Sequence, residues 1–191
     1  VLGGVDNPPI EKDADEAKVE ELPDGSILIS SRTDRNGRNF NIFRFTNARR
    51  AEGRWGKMAH SGIENGGVHS ERNACNGELM SVPVTRTSDG KRMHLLLQSL
   101  PLGPGRRNVG IYYKALDNDD IWSSPEKLAA DWDGPFRVTE LGSAYSTMVL
   151  QPDSSIGFLY EENTHLKSWI AYTIVYKKLS VEEITGGRYR N

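Results

Sequence analysis

The sequence predicts an all-β fold, and two patterns carry that prediction. Short runs of β-branched and aromatic residues recur about every 8–12 residues, which is typical of sandwiches, barrels and propellers. Clusters of Pro, Gly, Asp and Ser separate these runs, as tight turns do. Only residues 181–185 have a helical pattern. The chain has 191 residues, which is long enough for one domain with a sizeable core.

The predicted strands are placed by their turns and by alternation of polar and apolar side chains. Residues 17–22 and 27–31 flank Pro-Asp-Gly-Ser, a hairpin turn. Residues 39–45 read N-F-N-I-F-R-F and alternate as a half-buried strand does. The other predicted strands, which bring the total to about a dozen when short segments are included, are 55–60, 78–82, 93–98, 109–114, 144–150, 156–161 and 168–179.

Composition excludes several classes of function. The net charge of −2 argues against a general nucleic-acid binder. No apolar run approaches the roughly 18 residues of a membrane span. The single cysteine, Cys75, excludes a disulfide framework, and the four histidines form no pair at metal-binding helical spacing. We therefore expect no metal and no cofactor.

Residues 142–162 form the segment on which the functional interpretation depends. Two predicted strands flank a turn rich in Pro, Asp and Ser, with Tyr145 at the start of the first strand. Glu161 and Glu162 end the second. Considered alone, Tyr145 is most simply a strand aromatic with a packed ring and a solvated hydroxyl.

Two loops have similar positions and endings. Residues 115–122 (A-L-D-N-D-D-I-W) and 46–55 (T-N-A-R-R-A-E-G-R-W) both follow a strand and end in tryptophan. They resemble degenerate copies of the Asp-box, Ser-x-Asp-x-Gly-x-Thr-Trp, which occurs on blade hairpins of certain β-propellers. Asp117 and Trp122 fit that pattern in the first loop, whereas the second lacks the aspartate.

Four segments together indicate a family. They are a hairpin with Glu16 at its entry and Arg32 at its exit, N-A-C-N-G-E-L (73–79), G-R-R-N-V-G-I-Y (105–112), and the Tyr145 hairpin. In order and spacing they resemble the exo-sialidases (neuraminidases), specifically the bacterial type of glycoside hydrolase family 33. The resemblance extends over nearly the whole chain and matches the C-terminal half of a six-bladed propeller. Residues 1–191 would then form about three blades of one catalytic domain.

The resemblance implies a role for each matching residue. Tyr145 would be the catalytic nucleophile and Glu16 the carboxylate that takes its proton. Arg32 and Arg107 would be the second and third arginines of the triad that binds the sialic acid carboxylate. Two further residues complete the predicted site: Glu161 resembles the buried acid that orients the first arginine, and Asn76 lies where the family has Gln or Asn facing the sugar.

The chemistry explains why these residue types are required. Sialic acid carries a carboxylate on the carbon that is attacked, so a carboxylate nucleophile would be repelled, and sialidases use a neutral tyrosine instead. A phenol of pKa about 10 is a poor nucleophile at neutral pH. It therefore needs an adjacent base and positive surroundings that favour the phenolate. Arginine binds a carboxylate with a planar fork of two donors.

Some parts of the resembled domain have no counterpart in this chain. These are the segment with the first triad arginine and the loop with the acid/base aspartate. Because a half-ring would leave long unpaired edges, we expect the chain to associate with an N-terminal part of the same enzyme and to be inactive alone. The resemblance also implies sialylated glycans as partners and a secreted, periplasmic or cell-surface location.

Three other functions remain open at this point. The chain could belong to a carbohydrate-binding or scaffolding propeller that does not catalyse. It could belong to a trans-sialidase or an anhydro-forming sialidase, which would use the same residues. It could also belong to an Asp-box propeller that acts on another sugar.

Overall fold

A computed structural model of the chain describes residues 6–33, 36–72, 75–164 and 172–191. The strands are β1 (Asp15–Glu21), β2 (Ile27–Arg32), β3 (Arg38–Asn47), β4 (Glu52–Trp55), β5 (Ala59–Ser61), β6 (Leu79–Arg86), β7 (Arg92–Pro101), β8 (Val109–Leu116), β9 (Asp133–Arg137), β10 (Ser143–Leu150), β11 (Ile156–Glu162), β12 (Thr173–Leu179) and β13 (Tyr189–Arg190). The α-helices are α1 (Pro125–Ala129) and α2 (Val181–Thr185). Short 3₁₀ turns occupy Ala48–Arg50, Ile63–Asn65 and Asp119–Trp122.

The described strands form three antiparallel sheets that follow one another along the chain, except that the last strand, β13, joins the second sheet. Sheet A has the order β1-β2-β3-β4, with β5 paired to β3. Sheet B has the order β13-β6-β7-β8-β9, and sheet C the order β10-β11-β12. Successive antiparallel sheets of this kind match the predicted all-β fold of propeller blades, with one sheet for each of about three blades.

The hydrophobic core lies between successive sheets because sheet B presents apolar side chains on both faces. Along β7, Leu96 and Leu100 pack with sheet A, whereas Leu95 and Leu97 pack with sheet C. This alternation follows from the period of two in a strand. The sheet A side adds Leu22, Leu28, Phe40 and Ile42, and the sheet C side adds Met148, Ile156, Phe158 and Tyr160.

The predicted strands are present, and their bounds differ by a few residues. The hairpins 17–22/27–31 and 144–150/156–161 correspond to β1/β2 and β10/β11. The segment predicted as one strand at 55–60 is interrupted between β4 and β5. Residues 168–171 of the last predicted strand lie outside the described residues, and the remainder forms β12. The short strands β9 and β13 were not predicted.

The prediction of a single helix was wrong, because α1 is a second one. Ser124 caps it by accepting a hydrogen bond from the Lys127 amide, and Pro125 occupies its first position. Both are standard helix-start features, but five residues are too few to display a helical hydrophobic period. The predicted helix α2 has the predicted bounds, 181–185.

The two tryptophan-ending loops lie at similar places in sheets A and B. One follows β3 and the other follows β8, and each contains a 3₁₀ turn. Trp55 and Trp122 are both buried. Their assignment as Asp-boxes stays a prediction. Among the described residues, no helix is long and apolar enough to cross a membrane.

Candidate active site

The centre of the candidate site is a contact between Tyr145 and Glu16. The Tyr145 hydroxyl donates a hydrogen bond to Glu16 Oε1. Tyr145 lies near the start of β10 in sheet C, and Glu16 lies near the start of β1 in sheet A. The contact therefore joins the first strands of two different sheets at one end of the molecule.

Both residues lie in β-bulges. Pairing of β1 with β2 is irregular between Asp15 and Lys18, and pairing of β10 with β11 is irregular between Ser143 and Ser146. A bulge turns a side chain away from the regular alternation of its strand, which is why bulges are frequent beside active sites. Here the two bulges direct a phenol and a carboxylate towards each other.

A carboxylate side chain binds the backbone N–H of each bulged residue. Asp15 Oδ1 accepts from the Glu16 amide at 2.9 Å, and Glu161 Oε2 accepts from the Tyr145 amide at 3.2 Å. A bulge removes an amide from the regular ladder, so these bonds replace the lost partner. Glu161 thus has a role at Tyr145 that sequence reasoning did not identify.

Arg32 holds the other oxygen of the Glu16 carboxylate. Its Nη1 donates to Glu16 Oε2 at 2.9 Å and lies 3.7 Å from Asp15 Oδ2. The β1–β2 register, which pairs Asp15 with Arg32, brings the base and the arginine to the same end of the hairpin. The predicted group of Glu16, Arg32 and Tyr145 is therefore contiguous in the structure.

These contacts move two pKa values in opposite directions. Burial acts to raise the pKa of Glu16, but hydrogen bonds from Tyr145 and Arg32 outweigh it and hold that pKa below its ordinary value. The hydrogen bond to Glu16, together with burial, raises the pKa of Tyr145. The resting site therefore contains an ionised Glu16 and a neutral phenol. The expected phenolate-favouring surroundings are not what this resting arrangement provides.

Arg106, rather than Arg107, lies against Tyr145. Its guanidinium carbon is 5.6 Å from the centre of the Tyr145 ring, within the range of a cation–π contact. Burial raises the pKa of Tyr172, and the positive charge of Arg106 partly offsets that rise. Arg107 is exposed, its backbone bridges to Gly142, and no hydrogen bond or ion pair joins its side chain to another described residue.

Asn76 borders the site through both its backbone and its side chain. Its backbone N–H helps to lower the pKa of the Glu16 carboxyl. Its side-chain Oδ1 is buried and has no hydrogen-bond partner among the described residues. The neighbouring Gly77 permits this position, because a Cβ there would lie 1.6 Å from the Ser99 carbonyl oxygen. Residues 73 and 74 of the predicted segment lie outside the described residues.

Glu161, which the sequence predicts to be the buried acid that orients the first triad arginine, is half-buried in this chain, and that role stays a prediction. Its neighbour Glu162 is buried and accepts a hydrogen bond from the Tyr160 hydroxyl at 2.9 Å. Strand alternation explains the difference, because Glu162 points into the core with Tyr160. Glu161 instead lines an open cleft of about 200 Å³ with Asn76, Tyr145, Ser146, Thr147, Leu159, Tyr160 and Ile174.

Comparison with known proteins supplies the family context. No family model matches the chain. The chain is 28% identical over 180 residues to an anhydrosialidase of Macrobdella decora, covering 90% of this chain and 21% of that protein. The resemblance to the sialidases is confirmed. The chain spans about a fifth of the length of this curated relative.

Solved structures of sialidases share the fold. The intramolecular trans-sialidase of Ruminococcus gnavus has a TM-score of 0.61 at 19% identity, covering 89% of this chain and 33% of that one. The NanB sialidase of Streptococcus pneumoniae has a TM-score of 0.63 at 20% identity, covering 94% and 25%. A leech intramolecular trans-sialidase has a TM-score of 0.57 at 21% identity, covering 90% and 24%. The all-β, propeller-type fold is thus confirmed.

Proposed function

We propose that this chain carries the nucleophile side of a sialidase active site, which releases terminal α-linked sialic acid from glycoconjugates. One observation carries the proposal: the Tyr145 hydroxyl donates to Glu16, and Arg32 binds the other oxygen of the same carboxylate. A tyrosine paired with an ionised base is what a sialidase nucleophile requires.

The proposed reaction proceeds with retention in two displacements. Tyr145 Oη attacks the anomeric carbon while its proton passes to Glu16 Oε1, and the glycosidic bond breaks as the new bond forms. The leaving oxygen takes a proton from an acid that we place on a loop outside this chain. Water then attacks the anomeric carbon and gives one proton to the conjugate base of that acid, the bond to Tyr145 breaks, and Glu16 returns the proton to the phenol.

The directions in which the pKa values of Glu16 and Tyr145 are shifted are compatible with these steps. Glu16 is ionised at neutral pH because its pKa is lowered, so it is ready to accept a proton. Tyr145 is neutral because its pKa is raised, so the phenol approaches the substrate carboxylate without charge repulsion. Proton transfer then accompanies bond formation and does not precede it.

We assign substrate carboxylate binding to Arg32 and Arg106. The sequence resemblance assigned Arg107, as the third arginine of the triad, to this role together with Arg32. The contact of Arg106 with the Tyr145 ring favours Arg106 in place of Arg107. A guanidinium beside the nucleophile can bind the carboxylate on the attacked carbon with its two-donor fork. Asn76, which lines the cleft beside Tyr145, is the candidate for a polar contact to the sugar.

A second candidate activity is formation of an intramolecular anhydro product. The curated relative is named an anhydrosialidase, and two of the structural relatives are intramolecular trans-sialidases. In that reaction a hydroxyl of the bound sugar, in place of water, would attack the Tyr145 adduct. Mass spectrometry of the products separates the two, because the anhydro product contains one water less than free sialic acid.

We further propose that residues 1–191 form part of one catalytic domain and associate with its N-terminal part. Sheet C packs on sheet B through one face only. Its other face exposes Val149, Leu159, Ile174 and Tyr176, which are 41–60% exposed. Such an apolar patch marks an interaction site. An apolar face of another β-sheet would continue the packing seen twice between sheets A, B and C.

Glu161 supports this arrangement because it lies on the same open side as Leu159 and Ile174. A carboxylate there could orient an arginine delivered by the N-terminal part. The complete protein would then carry the whole site, and we expect a secreted, periplasmic or cell-surface location for it.

A fluorogenic sialoside assay on the complete protein tests the proposal. We expect hydrolysis by the complete protein and none by residues 1–191 alone. Binding of sialic acid by the complete protein without turnover would favour the rival function, a carbohydrate-binding propeller. Turnover of a different glycoside with no action on sialosides would favour an Asp-box propeller with another specificity.

A further inference from the structure

A buried arginine, Arg38, lies directly behind the candidate base. It is the first residue of β3 and has no solvent exposure. Burial lowers the pKa of Arg38 to about 10, so the side chain stays charged at neutral pH. Burying a cation is costly unless its donors are satisfied, which makes its partners informative.

The Arg38 guanidinium binds three backbone carbonyls and one hydroxyl. Nε donates to Ser30 Oγ at 3.1 Å, and Nη2 donates to the Ser30 carbonyl at 3.3 Å. Nη2 also donates to the Glu16 carbonyl at 3.3 Å, and Nη1 donates to the Cys75 carbonyl at 3.4 Å. The side chain therefore ties β2 to two segments that surround the Glu16 carboxylate.

Each of those segments contributes to the position of the base. Glu16 has φ +34°, a left-handed backbone conformation that a residue with a side chain adopts only when its surroundings impose it. Cys75 precedes Asn76, whose backbone N–H helps to lower the pKa of the Glu16 carboxyl. Arg38 thus binds both the strained backbone of Glu16 and the segment whose amide acts on the Glu16 carboxylate.

We propose that Arg38 is a positioning residue, which holds the Glu16 carboxylate in the geometry that accepts the Tyr145 proton. No carboxylate of the described residues touches Arg38, so its charge acts on the site across the Glu16 backbone. The ionisable groups around it are Glu16, Cys75, Arg32 and Asp15. The kinetic consequence rests on the proposed function, whereas the effect on Glu16 itself does not.

The test uses the complete protein with Arg38→Met and Arg38→Lys. The first readout is the Glu16 carboxyl titration, followed by ¹³C NMR and assigned with Glu16→Gln. In Arg38→Met we expect the pKa of Glu16 to rise, because a nearby positive charge is lost. Arg38→Lys keeps the charge but not the full fork of donors, so we expect a smaller rise.

The second readout is kinetic. We expect Arg38→Met to lower kcat about 10- to 100-fold with a much smaller change in KM, because a misplaced base affects the transition state more than binding. Arg38→Lys should recover part of kcat.

Asn41→Ala is the matched control for a purely structural effect. Asn41 lies on the same strand, is fully buried, and donates to the Pro9 and Gly56 carbonyls at 2.7 and 3.0 Å, away from Glu16. We expect it to lower the melting temperature without moving the Glu16 titration. Should an Arg38 variant fail to fold, Ser30→Ala removes one Arg38 acceptor and should shift the same readouts in the same direction.

The outcomes separate this inference from the proposed function. If Arg38 variants lower only the melting temperature, as Asn41→Ala does, and leave the Glu16 titration unchanged, Arg38 is a structural residue and the inference fails. If the wild-type protein has no sialidase activity but the Glu16 titration shifts as expected, the inference stands and the proposed function fails.

Discussion

Tyr145 and Glu16 are joined by a hydrogen bond although 129 positions separate them in the chain. Glu16 lies in sheet A and Tyr145 lies in sheet C, and strands β6–β9 of sheet B come between them in the chain. Thr147 and Lys18, one position further along the same strand faces, both contact Glu78, which precedes the first strand of sheet B. Glu78 therefore links β1 and β10 next to the contact between Glu16 and Tyr145.

Replacement of the proposed nucleophile should separate chemistry from binding. We expect Tyr145→Phe to lower kcat by more than roughly 10³-fold in the complete protein, since no other described group occupies the nucleophile position. Binding of sialic acid, measured by calorimetry, should be largely retained. Tyr189→Phe, on β13 outside the site, is the control and should keep normal turnover. Wild-type turnover by Tyr145→Phe would remove Tyr145 from the mechanism.

Neighbouring arginines provide a direct test of carboxylate binding. We expect Arg106→Ala to lower kcat/KM on the order of 10- to 100-fold, because one or two charge-assisted hydrogen bonds are lost. Arg107→Ala should change kcat/KM little, since its side chain has no described partner in the site. The comparison uses the same fluorogenic sialoside for both variants. The opposite ranking would restore Arg107 to the role that the sequence resemblance assigned.

Removal of Arg32 should move the acidic limb of the pH profile. The pKa of Glu16 is below its ordinary value, so the base stays ionised, and kcat/KM stays high, until the pH falls through that lowered pKa. Arg32→Ala removes a hydrogen bond and a positive charge that lower it, so the limb should move to higher pH. The maximum kcat/KM should also fall, because Arg32 is a proposed substrate ligand.

The pH at which kcat/KM falls, and not the maximum kcat/KM, tests whether Glu16 controls the acidic limb. Lys178→Ala is the control, because Lys178 pairs with Asp153 at the surface. It should leave the limb in place. A limb that does not move in Arg32→Ala would show that a group other than Glu16 controls it.

A charge on the open face of sheet C should destabilise the complete protein. If another β-sheet covers this face, Leu159→Lys and Ile174→Lys would bury an unpaired ammonium and lower Tm by roughly several degrees. Ile63→Lys is the control, because Ile63 is 73% exposed on a 3₁₀ turn. Equal Tm values for all three variants would indicate that this face stays in water.

The packing between sheets B and C should contribute strongly to the free energy of unfolding. Leu97 is fully buried in the core cluster that joins them. We expect Leu97→Ala to lower the free energy of unfolding by about 2–5 kcal/mol, from lost apolar contact and the cavity left behind. Ile63→Ala should change it by less than about 0.5 kcal/mol. Urea denaturation of both variants measures the difference, and similar values would contradict the assigned core.

The sequence by itself determined the class of fold and supplied the candidate residues for the proposed reaction. Strand alternation and turn residues depend on neighbours along the chain, so β1, β2, β10 and β11 were predictable. The short helix α1 was not, because a cap and five residues leave no period to detect. Glu16, Arg32 and Tyr145 were selected by spacing within segments that resemble sialidases.

Tertiary structure alone decided which side chains meet. Arg106 and Arg107 are chemically identical neighbours, and only the tertiary structure shows that the guanidinium of Arg106 is the one that lies over the Tyr145 ring. The bulges at Glu16 and Tyr145 depend on pairing with other strands, which no local pattern reveals. The burial of Arg38 depends on carbonyls from three separate segments. These features arise from contacts between distant parts of the chain, whereas strand propensity arises from near neighbours, and this is the physical reason for the division.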